Sequence, residues 1–204
     1  MELTNGTGTG DQLHIDKNHQ AHTFCITETE ANDAVERGNG YNINTGLIAL
    51  TGTSDSAVLY FKNAESPVNG VSDVVIDTII VSINSISATI TEHPIMTIIR
   101  NPTTGTIVSN ATAADMVSNN AFGSSNSLDS LIYKGADGYT ITDGTDHAIV
   151  LCKEGRTTIP ELNIDLSKGS SIGIKIDLNT SGGANVYVAV VCHRKDGNNA
   201  GKNA

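Results

Sequence analysis

The chain has 204 residues, a formal net charge of −10 and 4% aromatic residues with no Trp. That length suits one β-sandwich or barrel around a single core, built here from Ile, Val, Leu and Ala rather than from stacked rings. The acidity argues against nucleic acid and anionic membrane, which recruit basic surfaces, and the scarcity of rings argues against sugar platforms and base-stacking grooves.

Residues 1–20 are rich in Gly, Thr and Asn without a sustained apolar period, and they read as an arm that orders only against a neighbour. Gly6, Gly8 and Gly10 follow no strand and match no phosphate-binding spacing. His14, His19 and His22 lie close together, but no Cys or carboxylate follows at a zinc-ligand spacing, so they read as solvated polar residues. The opening Met-Glu-Leu-Thr-Asn-Gly lacks the basic-then-apolar pattern of a signal peptide, and no run approaches the roughly 18 apolar residues of a membrane span. Synthesis and folding in a cytoplasm are therefore expected. Seven acidic residues against one Lys precede Arg37, which makes this end locally negative.

A short strand is expected over 22–27 and a helical turn over 30–37, stopped at Gly38, whose freedom at positive φ ends helices. Beyond it the pattern is β throughout, with strands over 46–51, 57–62, 74–83, 95–100, 106–109, 139–142, 147–152, 159–166, 171–177 and 186–193. These runs are rich in Val, Ile and Thr, which suit a pleated, half-buried surface. Ile172, Ile174 and Ile176 alternate with Ser171, Gly173, Lys175 and Asp177, which predicts one face inward and one outward. No repeat period appears, and turns fall at intervals of roughly 8 to 15 residues, which favours two packed sheets over a propeller or solenoid. The expectation is an all-β fold, a single two-sheet sandwich of jelly-roll type with an extended N-terminal arm. Its divisions are an arm over 1–37, the sandwich over 38–196 and a tail over 197–204. The Ser- and Asn-rich stretch 110–130 reads as a long loop, the kind of segment that makes contacts.

Chemical motifs are weak. Gly169-Ser170-Ser171-Ile172-Gly173 has the letters of a hydrolase nucleophile elbow, but a turn leads into an alternating strand where the elbow needs strand then helix, so Ser171 is not expected to be catalytic. Asp137, Asp143 and Asp146 lack the alternating ligands and terminal Glu of a calcium loop and read as turn residues beside Gly138 and Gly144. Cys25, Cys152 and Cys192 are odd in number and widely spaced within apolar runs, and they read as buried hydrophobes rather than a disulfide framework. Asn5, Asn110 and Asn179 head glycosylation sequons, which carry meaning only on a secreted chain. The expectation is no enzyme, with no catalytic, cofactor-binding or metal-binding residue.

Several phrases taken together carry a resemblance: Gly40-Tyr-Asn-Ile-Asn-Thr-Gly46, Leu59-Tyr-Phe-Lys-Asn63, Ile99-Arg-Asn-Pro-Thr-Thr-Gly105, Asn120-Ala-Phe-Gly-Ser-Ser125, Tyr133-Lys-Gly135 and Lys168-Gly-Ser-Ser-Ile-Gly173. With them the chain resembles the small β-rich virion proteins of tailed bacteriophages, of the head decoration or cement type. The stretch before Asn32 has no counterpart in that resemblance. None of the phrases is a chemical motif, so no site residue is carried across. What the resemblance implies is a jelly-roll-like structural protein in the virion, a homotrimer whose partners are the major capsid protein and itself. Two other readings stand beside it, a receptor- or glycan-binding module of a tail fibre and a glycan-degrading enzyme.

Overall fold

The computed structural model describes residues 14–15, 21–22, 29–52, 55–66, 73–85, 93–159, 162–179 and 182–195. In chain order the elements are β1 (His14–Ile15), β2 (Ala21–His22), α1 (Glu30–Glu36), β3 (Gly40–Asn44), β4 (Ile48–Leu50), β5 (Ser56–Lys62), β6 (Val74–Ser85), β7 (Ile95–Arg100), α2 (Thr106–Asn110), β8 (Met116–Asn119), β9 (Leu131–Lys134), β10 (Thr145–Leu151), β11 (Gly155–Ile159), β12 (Ile164–Leu166), β13 (Ser171–Asp177) and β14 (Ala184–Arg194). β1 and β2 form a ladder of their own.

The other strands make two antiparallel sheets packed face to face. One runs β10-β7-β13-β5-β9, and the other runs β11-β6-β14-β3-β8 with β12 also on β6 and β4 also on β14. The pairing is nested. β3 lies against β14, β5 against β13, β6 against β11 and β12, and β7 against β10. A long hairpin folded back on itself and rolled gives this order, which is the jelly-roll connectivity expected from the strand pattern.

Between the sheets lies an aliphatic core. β14 supplies Val186, Val188, Val190 and Cys192, all buried, while Tyr187 points outward and is partly exposed. β6 supplies Val74 and Ile76, then Ile79, Val81 and Ile83, so its inward residues change from even to odd positions. A bulge in the β14 pairing reconciles the two phases, because Val191 faces Thr78 and Cys192 faces Ile76, leaving Asp77 unpaired. Bulges re-aim side chains in this way, and Asp77 is turned to meet His193.

A second apolar cluster covers the outer face of the five-stranded sheet. Ala57, Tyr60, Ile99, Ile107 and Ile141 pack there, and Tyr60 stacks on Tyr133 at 5.7 Å between ring centroids. β13 is therefore not open on one face as the alternation implied. Ser171 and Gly173 are buried, and a side-chain carbon added to Gly173 would lie 2.3 Å from Ile141 Cδ1.

The helix expected over 30–37 forms as α1, with Thr29 accepting from the Asn32 amide as N-cap and Gly38 at φ +74° just beyond the end. Other expectations are corrected. The strand read over 106–109 is the short helix α2, because Ile107 is drawn into the outer cluster and the run is too short for periodicity to separate the two. The stretch 139–142 is irregular, and its backbone bonds go to Ala57, Thr104 and Ala136 rather than to a ladder. The single strand read over 159–166 is split into β11 and β12, with Pro160, which has no N–H for a ladder, in the interval. The loop read over 110–130 contains β8, paired with β3. β1, β3 and β9 form where no strand is expected from the sequence. Of the strand read over 22–27, only His22 is described, in β2.

Candidate functional site

Ser171 sits at the start of β13 with its hydroxyl buried, donating to the Pro102 carbonyl at 2.7 Å while its amide donates to Asn101 Oδ1. A turn at Gly169 and a following strand place it in a ladder, where its Oγ braces a loop. Asp137 accepts from the amide and the hydroxyl of Thr51, both at 2.9 Å. Asp143 accepts from the Thr103 hydroxyl and from the amides of Thr103 and Thr104, and these bonds hold its carboxyl down at about 2. Asp146 is exposed on β10. Gly138 and Gly144 adopt φ of +71° and +95° beside these aspartates, the left-handed turn geometry that favours glycine. Asp137 and Asp143 brace separate loops while Asp146 stands on a strand, and among the described residues no group of three or more His, Cys, Asp or Glu side chains is placed to hold a metal.

Cys152 and Cys192 are buried free thiols, and burial raises the pKa of both. His14 and His22 are register partners in the β1–β2 ladder. Asn110 ends α2 on the surface, and Asn179 lies just past β13 in the left-handed region at φ +53°. Asn5, Gly6, Gly8, Gly10, His19 and Cys25 lie outside the described residues.

Among the described residues, three concave features are notable. The first, about 360 Å³, opens where β7 and β13 meet β12, with Arg100 and His147 among its polar groups and Leu162, Ile164, Leu166 and Ile172 on its walls. A second, about 250 Å³, lies by the start of α1. There His193 Nδ1 is 2.9 Å from Asp77 Oδ2, and its buried Nε2 has no hydrogen-bond partner among the described residues. The third, about 380 Å³, is a depression walled by His93, Leu151, Lys153, Arg156 and Thr158 beside β10 and β11.

The clearest departure from an ordinary solvated surface lies along the two flanks where the sheets end. On one flank β10 and β11 are the outermost strands, and Ile149 and Leu151 on β10 are 66% and 65% exposed. Ala148 and Val150, one residue out of phase, pack on the core, so the exposed pair sits on the outer face by strict alternation. On the opposite flank β8 and β9 are outermost, and Met116, Val117, Leu131 and the fully exposed Phe122 stand out. These two flanks hold most of the exposed large hydrophobic side chains found among the described residues.

Phe122 is held out by a built scaffold. Glu65 is fully buried, accepts from the Ser130 hydroxyl at 2.8 Å and faces Arg194 Nη1 at 3.4 Å. Arg194 Nη2 donates to Asn39 Oδ1 at 3.0 Å, and Asn126 donates to the same oxygen. Asn119 donates to the Gly38 carbonyl at 2.7 Å, and the Tyr41 hydroxyl donates to the Ser127 carbonyl. The β8–β9 connection is thereby fastened at both ends to the end of α1 and to β3. The expected contact loop is thus a clamped excursion, with an aromatic ring at its tip in full contact with water. A lone Phe in a polar stretch of a ring-poor chain is the signal that could have marked it. No family model matches the chain, and no curated protein matches it either.

Proposed function

We propose that this chain is a structural virion protein that binds the outer surface of a phage capsid and reinforces it, acting as a homo-oligomer, a trimer. The observation that carries the reading is the pair of apolar flanks at the sheet ends, with Phe122 presented on a braced loop. Large exposed apolar patches mark protein contact surfaces, and aromatic anchors dominate the energy of such contacts. The resemblance of the sequence phrases to decoration and cement proteins is what suggests the capsid as partner and the number three. The net charge of −10 supplies an attraction to basic patches on a capsid lattice, screened over about 10 Å at 0.1 M salt.

A second reading, a receptor- or glycan-binding module of a tail fibre, is favoured by the cleft beside Arg100 and His147, whose mixture of apolar wall and polar groups suits a small ligand. Binding of the purified protein to particles stripped of it separates the two. The capsid reading expects saturable binding, weakened by salt where acidic surface carries the contact and insensitive to it where the apolar flanks do. Particles that take up none of the protein at low or high salt would remove it and leave the fibre reading ahead.

A further inference from the structure

Arg100 falls on an unusual phase for a charge. Along β7, Met96 and Ile98 point into the core and Ile99 points to the outer cluster, so Arg100, one step on, belongs to the core-facing side. Its register partner Ile172 lies on that same side and is buried. Inward-pointing charges guard sheet edges against pairing, but β7 runs between β10 and β13 and has no edge to guard. Arg100 instead borders the cleft of about 360 Å³ at the mouth between the two sheets.

His147 reaches the same cleft through a break in the ladder. Asp146 pairs with Ile99 and Ala148 with Ile98, which leaves His147 as the extra residue of a bulge. Bulges re-aim side chains and gather beside functional sites. Strict alternation would have placed His147 with the exposed Ile149 and Leu151 on the outer face, yet it lines the cleft. The neighbouring carboxylates are engaged elsewhere or face away. Asp165 lines the cleft but accepts from Lys195 Nζ at 2.6 Å. Asp143 accepts from Thr103 and Thr104, and Asp146 precedes the bulge on the phase of Ile99. Among the described residues Arg100 has no carboxylate partner. A guanidinium with its forked donors open takes a carboxylate or phosphate through two parallel hydrogen bonds. The aliphatic wall of Leu162, Ile164 and Ile172 gives a hydrocarbon body a place beside it.

We propose that the mouth between the sheets binds a small organic anion, its carboxylate or phosphate on Arg100 with His147 beside it and its aliphatic body along Leu162, Ile164 and Ile172. The site does not depend on the capsid contact, and the free chain tests it without particles, so its failure leaves the capsid reading untouched. The probes are hexanoate, hexyl phosphate and the uncharged hexanamide, titrated into the isotope-labelled full chain and followed by amide chemical shifts. Saturable shifts at Asn101, Ser171 and Ile172 are expected with the anions, and the tighter of the two identifies the headgroup. Hexanamide is expected to bind about tenfold more weakly, the lower end for losing a hydrogen bond to a charged group. Arg100→Gln, at an exposed position and with its fold verified by circular dichroism and thermal melting, is expected to weaken both anions about tenfold and to leave hexanamide unchanged. His147→Ala, at a second exposed position, is expected to weaken the anions as well. Equal affinity of the wild-type chain for hexanoate and hexanamide would overturn the proposal without any variant. So would anion binding unchanged in both variants, or the absence of saturable shifts with either anion up to its solubility limit.

Discussion

Replacing Glu65 by Gln keeps the shape of a fully buried side chain and removes its charge. The Ser130 hydroxyl keeps an acceptor in the new amide, and the Glu65 amide bond to Asn63 Oδ1 is untouched. Arg194 bears the loss. Its side chain is 14% exposed, its Nε has no partner among the described residues, and Asn39 Oδ1 becomes its principal remaining acceptor there. Removing one member of a buried pair costs about 3–5 kcal/mol, because a charge is left without compensation. The 3.4 Å separation and the residual exposure of Arg194 place this case at the lower end, about 3 kcal/mol. For a chain of this size that corresponds to a fall in melting temperature of roughly 6–12 °C. Urea unfolding at neutral pH measures it, with Arg194→Met and the double variant completing a cycle. The double variant should recover most of the loss, since no charge then stays buried alone. A Glu65→Gln loss below about 1 kcal/mol, or a double variant worse than the sum of the two singles, would refute the reasoning.

Asp143 supplies a pH test. A carboxyl held below its ordinary value stabilises the folded chain above the unfolded pKa, and that contribution is lost as pH falls through the folded value of about 2. The Thr103 and Thr104 amide resonances should therefore stay constant down to the ordinary carboxylate value of 3.8 and shift only near 2, and a midpoint at 3.8 would contradict the clamp. Cys152 and Cys192 should resist thiol reagents in the native protein and react on unfolding, since burial both shields them and disfavours the thiolate; rapid native labelling of either, located by peptide mapping, would count against the core as described. Gly135→Ala would place a carbon 1.7 Å from the Ala57 carbonyl oxygen, a backbone atom that cannot rotate away. A loss of about 2 kcal/mol or more in urea unfolding is expected, and an unchanged stability would mean that β5 and the 135–138 turn are not packed as described.

The sequence made the fold legible where one signal ruled. β13 and β14 alternate in sequence, and β7 lies at its expected bounds, because their inward Ile and Val positions meet the core between the sheets. Legibility failed where a short run is decided by neighbours distant in sequence. Met116 to Asn119 becomes a strand because β3 offers an edge, while Ile107 goes into a helix because the outer face of the five-stranded sheet needs a cover. The phase change in β6 is written in its Val and Ile positions, but its consequence, Asp77 turned onto His193, depends on β14 across the bulge. The proposed contact surface is half legible. The stretch 110–130 stood out by composition, yet the exposure of Phe122 and of Ile149 is a property of what the fold leaves uncovered, and an alternating strand such as β10 reads the same whether its second face meets protein or water.

The central claim, that this is a structural component of a virion surface, is tested most directly by its copy number in purified particles, counted by quantitative mass spectrometry against the major capsid protein. The account predicts a number that scales with the capsid lattice, in a fixed small-integer ratio to the major capsid protein. A number matching the few copies of a tail fibre, or absence from the particle, would contradict it.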